Sequence, residues 1–291
     1  MHLDMSPKET VIDGRRVCYA DANPTHPRSV VLLHGGGLDS ATLSWGALLP
    51  DLAKDARVLA PDLPGHGGSD GFERPFTITD LSDWLSVFLK TCDIARADLV
   101  GVSMGGGTAL SFALSYPARV RSVVAVGSYG VQARMPSHGL SWVMTRINLN
   151  RPVSWLAARS ALVARGLLAQ IFADPARLTP SLVALVQEAA RRPDQARAFH
   201  HFQLGELHRD GLKTDLTDQL PNLKCPVLFV HGKADRLVPL KDIEHAVARI
   251  PQGRLTVMDA GHWPMRECPE AFNAAALGFL REVDTKSDVG G

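Results

Sequence analysis

The chain has 291 residues, 45% hydrophobic and 21% charged, with 31 Lys and Arg against 30 Asp and Glu and a formal charge of +1. That balance, with no run of one sign, gives neither the basic footprint of a nucleic-acid binder nor a strong field for an acidic partner. Four scattered cysteines (Cys18, Cys92, Cys225 and Cys268) form no Cys-x-x-Cys pair and suit free thiols better than a disulfide framework.

The N-terminal MHLDMSPKETVIDG lacks an apolar core behind a basic start, and no apolar run approaches the ~20 residues of a bilayer span. A cytoplasmic protein without a membrane span is therefore expected. Thr10–Ile12 and Arg16–Tyr19 flank Asp13-Gly14, a hairpin signal. Short β-branched runs follow at Val30–Leu33, Val58–Ala60, Leu99–Val102, Val123–Val126, Val227–Val230 and Leu255–Met258. They are apolar without alternation, as strands of a parallel sheet covered on both faces are. Between them lie helical patterns: Ile78–Leu89 sets Ile78, Leu81, Trp84, Leu85 and Phe88 on one face, and Ile243–Ile250 and Ala271–Leu280 behave alike.

The alternation predicts a doubly wound α/β domain of residues 1–127 and 221–282. From 128 to 220 no strand is evident. Amphipathic stretches at Val153–Leu168, Leu178–Ala190 and Ala196–Leu207, separated by prolines, predict an inserted helical cap over the carboxyl edge of the sheet. The polar residues 283–291 predict a flexible tail.

The chemistry is signalled by strand Leu99–Val102 running into Gly101-Val102-Ser103-Met104-Gly105 ahead of a helical Thr108–Tyr116. Gly-x-Ser-x-Gly between strand and helix is the context of a nucleophile elbow, where a strained turn lifts a serine hydroxyl from the sheet. Serine needs a base, and the base an orienting acid. Asp235 follows the strand at 227–230, and His262 follows the strand at 255–258, in the chain order Ser, Asp, His. Asp259 is the rival acid, but it lies close to its strand, where it would brace the loop. Asp235 could alternatively cap the helix that follows it.

The run His34-Gly35-Gly36-Gly37 closes strand Val30–Leu33 and offers backbone N–H groups to a developing oxyanion. Gly36 and Met104 are the candidate donors, with His34 bracing the loop. No Gly-Lys-Ser/Thr follows, which argues against phosphate binding. Within the cap, Trp142, Met144 and Phe172, together with Trp263 beside the histidine, are candidate substrate contacts. His200, His201 and His208 have no carboxylate or cysteine at ligand spacing, so no metal and no cofactor are expected. The expected partner is a small-molecule substrate, and the sequence leaves the oligomeric state open.

These motifs resemble the α/β-hydrolase superfamily over nearly the whole chain outside the cap. The resemblance also covers Asp62-Leu63-Pro64-Gly65-His66-Gly67-Gly68-Ser69, taken as a structural loop. It implies a mostly parallel sheet with an N-terminal antiparallel hairpin and an inserted cap. A serine nucleophile sets the chain apart from the dehalogenases and epoxide hydrolases of that scaffold, which use aspartate. What the resemblance implies first is hydrolysis of a carboxylic ester, lactone or thioester of a largely hydrophobic substrate through an acyl-enzyme on Ser103.

Gly261-His262-Trp263 and Glu270-Ala271-Phe272-Asn273 also resemble the meta-cleavage-product hydrolases, which split carbon–carbon bonds of vinylogous diketones. Three features depart from that family. Gly37 continues as Leu38-Asp39, Val102 stands where asparagine is usual, and the position of a substrate-binding arginine falls at Leu185 or Val186, with Arg191 and Arg192 nearby. A small-ligand receptor with slow hydrolysis on the same scaffold is the third reading.

Overall fold

The computed structural model describes residues 7–288. The chain opens with β1 (Lys8–Ile12) and β2 (Arg15–Ala22), an antiparallel hairpin in which Ile12 pairs with Arg15. Asp13 and Gly14 both take positive φ, 50° and 74°, as a two-residue turn matching the strand twist requires. Then come β3 (Ser29–Leu33), α1 (Ala41–Trp45), α2 (Leu49–Leu52), β4 (Arg57–Pro61), α3 (Ile78–Thr91), β5 (Ala97–Val102), α4 (Met104–Ser115) and β6 (Val120–Val126).

Five helices intervene before the next strand: α5 (His138–Arg146), α6 (Asn150–Arg159), α7 (Ala161–Ile171), α8 (Pro180–Ala190) and α9 (Pro193–Glu206). The core resumes with β7 (Val227–Gly232), α10 (Leu240–Ala248), β8 (Gly253–Met258), α11 (Pro264–Glu267) and α12 (Pro269–Asp288). The predicted tail is corrected in part. Helix α12 carries the chain through Asp288, whereas 289–291 lie outside the described residues.

The eight strands form one sheet in the order β1-β2-β4-β3-β5-β6-β7-β8, parallel from β4 onward. Alternate residues of each strand feed two cores. Val30, Leu32, Val100, Val102, Val124 and Val126 pack toward α12 and the inserted helices, while Val31, Leu33, Leu99, Val123 and Ala125 pack toward α3 and α10. Each fully buried side chain of this kind contributes roughly 1.5–3 kcal/mol, so the central strands are the rigid frame. At the amino ends of β5 and β6, Arg28 donates to Asp98 (2.8 Å) and to the Leu280 carbonyl (2.7 Å), fastening α12 beneath the sheet. The functional loops leave from the opposite, carboxyl ends.

The insertion is helical, as the sequence reading has it, but its pieces differ. The predicted helix 153–168 breaks at Ser160, whose hydroxyl caps α7 by accepting from Val163 N–H, and α5 is an added helix. Glu206 at the end of α9 is fully buried, and its carboxylate accepts from Ile78 N–H (2.7 Å), Tyr129 Oη–H (2.9 Å) and both N–H and Oγ–H of Thr214. A buried charge with that many donors is satisfied, and it latches the insertion onto the first turn of α3.

Candidate active site

Ser103 joins β5 to α4 with φ 52° and ψ −116°, a left-handed conformation that costs a non-glycine residue ~1–3 kcal/mol. The turn holds because its backbone is tied on both sides. Ser103 N–H donates to Val126 O (2.8 Å), and its carbonyl accepts from Gly107 N–H (3.0 Å) and Tyr129 N–H (3.1 Å). Only glycine fits two residues before and after it. A Cβ on Gly101 would lie 2.2 Å from Gly105 O, and one on Gly105 2.2 Å from Leu33 O. Met104 is the first residue of α4, so its N–H has no acceptor within the helix.

His262 follows β8 and Asp235 follows β7. The imidazole Nδ1 donates to Asp235 Oδ2 at 2.7 Å, and both side chains are buried. The other carboxylate oxygen, Oδ1, accepts from Leu237 N–H (2.8 Å) and Val238 N–H (3.0 Å). Burial alone would raise the Asp235 pKa, but the His262 charge, its hydrogen bond and the Val238 amide outweigh it, holding the carboxyl below its ordinary value. An ionised Asp235 fixes the proton on Nδ1 and leaves Nε2 as the basic nitrogen. His262 N–H donates to Ile171 O (2.6 Å), and Gly261 N–H donates to Glu267 (2.9 Å), whose carboxylate also takes the amides of Ala173 and Asp174. The histidine loop is thereby tied to the end of α7. The rival Asp259 points to solvent, its side chain 92% exposed.

The His34–Gly37 loop is braced from three directions. His34 Nδ1 donates to Gly35 O (2.7 Å) and Nε2 accepts from Leu63 N–H (2.8 Å), and burial pushes its pKa down to about 4, so the ring stays neutral. Asp39, fully buried, accepts from Gly35 N–H (2.7 Å), Ser44 Oγ–H (2.7 Å) and Ser40 N–H (2.8 Å). Burial pushes its pKa up to about 6 despite those bonds and the field of Arg266. Gln195 of α9 donates through Nε2 to the carbonyls of Gly37 (3.1 Å) and Asp39 (2.5 Å). Gly35 N–H is thus committed to Asp39, and among the described residues Gly36 N–H has no acceptor. The Asp62–Ser69 stretch is a brace, with Asp62 accepting from Ala41 and Gly68 amides, and it stays off the cavity wall.

Ser103, Met104, Gly36 and His262 open into one cavity of about 300 Å³. Its far wall comes from the insertion: Asn150, Val153 and Ser154 of α6, Leu167 and Ile171 of α7, Val186 of α8 and Phe199 of α9. Trp263 lines it, as the sequence reading expects. Trp142, Met144 and Phe172 do not, and these three are corrected. Met144 is 39% exposed on the outer face of α5, and Trp142 on the same helix lies under the Arg146 guanidinium. Phe172, after the last turn of α7, is buried in the sheet-side core. Apolar character marks these residues equally well for solvent-facing or core packing, and only helix phase separates the cases. Phe199 in the cavity wall, and Gln195 one turn before it on α9, bonded to the His34–Gly37 loop, are the residues that reading misses.

Val186 stands in the wall where the resemblance would place an arginine, and Arg192 reaches away to the Gly67 carbonyl (2.7 Å). Among the described residues no Lys or Arg lines the cavity. His200, His201 and His208 do not converge: His201 Nδ1 pairs with Phe72 O and His208 Nε2 with Gly205 O. Among the described residues no group of three ligand-type side chains could hold a metal, and no helix is long and apolar enough to cross a membrane.

Comparison with known proteins agrees with this fold. A family model described as alpha/beta hydrolase fold matches residues 28–267. The chain is 32% identical over 286 residues to a 2-hydroxymuconate semialdehyde hydrolase of Pseudomonas sp. (strain CF600), covering 95% of this chain and 94% of that protein. The meta-cleavage product hydrolase CumD of Pseudomonas fluorescens IP01 superposes with a TM-score of 0.80 at 26% identity, over 94% of this chain and 97% of that one. A thermophilic esterase of Thermogutta terrifontis gives 0.76 at 26% identity, over 96% and 99%. With this sheet and these inserted helices, the chain belongs to the alpha/beta hydrolase fold family.

Proposed function

We propose that the protein hydrolyses a substrate at an activated carbonyl through an acyl-enzyme on Ser103, with His262 as base, Asp235 as its orienting acid, and the Gly36 and Met104 amides as oxyanion donors. The observation that carries this reading is the 2.7 Å His262–Asp235 pair opening into the same cavity as the left-handed Ser103. In the first step His262 Nε2 takes the Ser103 proton as Oγ adds to the carbonyl carbon. The oxyanion develops against two N–H groups already in place, each typically contributing ~3–4 kcal/mol to lowering the barrier. Collapse expels the leaving group, which takes the proton from His262. Water then adds to the acyl-enzyme with His262 again as base.

For the bond broken, the comparisons favour the carbon–carbon reading over the ester reading, since relatives along the full length include hydrolases of meta-cleavage products. The leaving group is then a carbanion delocalised over a conjugated ketone, and His262 returns the proton to carbon. Ester hydrolysis remains the second reading on one observation. With Val186 in the wall and no Lys or Arg in the lining, a substrate carboxylate would be buried without a counter-charge. Both readings therefore imply a neutral, largely apolar substrate.

Steady-state rates on three probes decide between them: a neutral vinylogous diketone, its carboxylated counterpart and a neutral aryl ester of equal size. The leading reading predicts the highest kcat/KM on the neutral diketone. A preference for the ester transfers the assignment to the second reading. A preference for the carboxylated diketone contradicts the inference drawn from the cavity wall.

A further inference from the structure

The inserted helices carry a surface that the reaction does not use. Of eleven exposed large hydrophobic side chains among the described residues, seven lie between 140 and 162: Leu140, Val143, Met144, Ile147, Trp155, Leu156 and Leu162. The first four recur at three- and four-residue spacings along α5 and its end, so they form one stripe, and that stripe faces solvent rather than protein. Monomeric proteins rarely leave such a run uncovered without a partner.

Charge says what covers it. From Leu99 to Ala173 the chain has no Asp or Glu at all, although the whole protein is balanced at +1. The insertion up to that point carries Arg134, Arg146, Arg151, Arg159 and Arg165, all exposed. Arg159 lies 4.3 Å over the Trp155 ring, and Arg146 lies 5.6 Å over Trp142. Aliphatic residues, an exposed indole and unopposed arginines on one set of helices fit the boundary between lipid headgroups and acyl chains. A second copy of the chain fits poorly, because pairing these faces would set arginines against arginines.

Two of these helices also line the cavity. Helix α6 turns Val153 and Ser154 inward and Arg151, Trp155 and Leu156 outward, and α7 turns Leu167 inward and Leu162 outward. We propose that the exposed apolar side chains of α5–α7 and the arginines among them dock the protein on an anionic lipid surface, with the helices that wall the substrate cavity against the bilayer. An apolar substrate partitioned into lipid would then lie beside the helices that line its site.

The test is flotation with vesicles of phosphatidylcholine alone and of phosphatidylcholine mixed with an equal part of phosphatidylglycerol. The protein is expected to float with the mixed vesicles and not with the neutral ones. Each of Arg146→Gln, Arg151→Gln and Arg159→Gln should weaken partitioning about fivefold, and the three together on the order of a hundredfold. A Leu140→Gln, Val143→Gln, Ile147→Gln variant should lose flotation while keeping the wild-type melting temperature and fluorophosphonate labelling. Flotation reads partitioning rather than turnover, so its outcome is independent of the hydrolase reading. Failure of the wild type to float with anionic vesicles would overturn the proposal, as would flotation unchanged by either triple substitution. Light scattering that shows a dimer split by the apolar substitutions would likewise overturn it and assign the face to self-association.

Discussion

Asp39→Asn isolates the support of the oxyanion loop from the triad. The Asp39 carboxylate takes Gly35 N–H and Ser44 Oγ–H on Oδ2 and Ser40 N–H on Oδ1, so it needs acceptors at both ends. An asparagine offers one acceptor and one donor, and either orientation turns its NH₂ toward a backbone N–H. At least one charge-assisted hydrogen bond, about 1.5–3 kcal/mol, is lost. If the loss is expressed where Gly36 N–H meets the oxyanion, kcat falls roughly tenfold to a hundredfold with little change in KM. The pH dependence makes the prediction specific. With the Asp39 pKa pushed up to about 6 by burial, the wild type acquires a neutral side chain as pH falls through that value. The variant has one already. Stopped-flow or steady-state kcat should therefore show a large wild-type-to-variant ratio near pH 8 that narrows toward unity below about pH 5. A ratio near unity throughout, or one independent of pH, would refute this role for Asp39.

Two further outcomes follow from the same loop and its surroundings. Gln195→Leu leaves the Gly37 and Asp39 carbonyls without their donor, costing ~1–3 kcal/mol for each acceptor left unpaired. Thermal melting should drop and kcat fall on the order of tenfold, whereas an unchanged kcat would show that α9 does not position the loop. His34 and His66 are buried neutral, their pKa values pushed down by burial to about 4 and about 3. The unfolded chain binds protons at these histidines from about pH 6.5 downward while the folded chain does not, so stability is complete above that pH and is lost as pH falls toward 4. Unfolding free energies from urea titrations at pH 7 and pH 5 should differ by roughly 2 kcal/mol for each histidine, offset in part by the opposite and smaller effect of Asp39, and equal values would contradict the neutral assignment.

The parts of this protein that one stretch of chain specifies were readable from sequence. The Asp13-Gly14 turn, the apolar strands and the Gly101–Gly105 elbow each carry their own steric reason, and the structure repeats them at the same residues. The pairing of Asp235 with His262 follows from strand order, because parallel strands deliver their loops to one edge. What escaped was the interior of the insertion. Trp142, Met144 and Phe172 were as apolar as Leu167 and Phe199, and which of them meets substrate depends on the helix break at Ser160 and on how each helix is rotated. The bonds of Gln195 to Asp39 and of Glu267 to Ala173 and Asp174 join residues far apart in the chain, and no local pattern announces them.

Intact-protein and peptide mass spectrometry after brief exposure to a fluorophosphonate puts the nucleophile itself to the test. One phosphonyl adduct is expected, on the peptide containing residue 103, formed rapidly in the wild type, much more slowly in His262→Ala and not at all in Ser103→Ala. Labelling of Ser103→Ala at the wild-type rate, or an adduct on any other residue, would contradict the account.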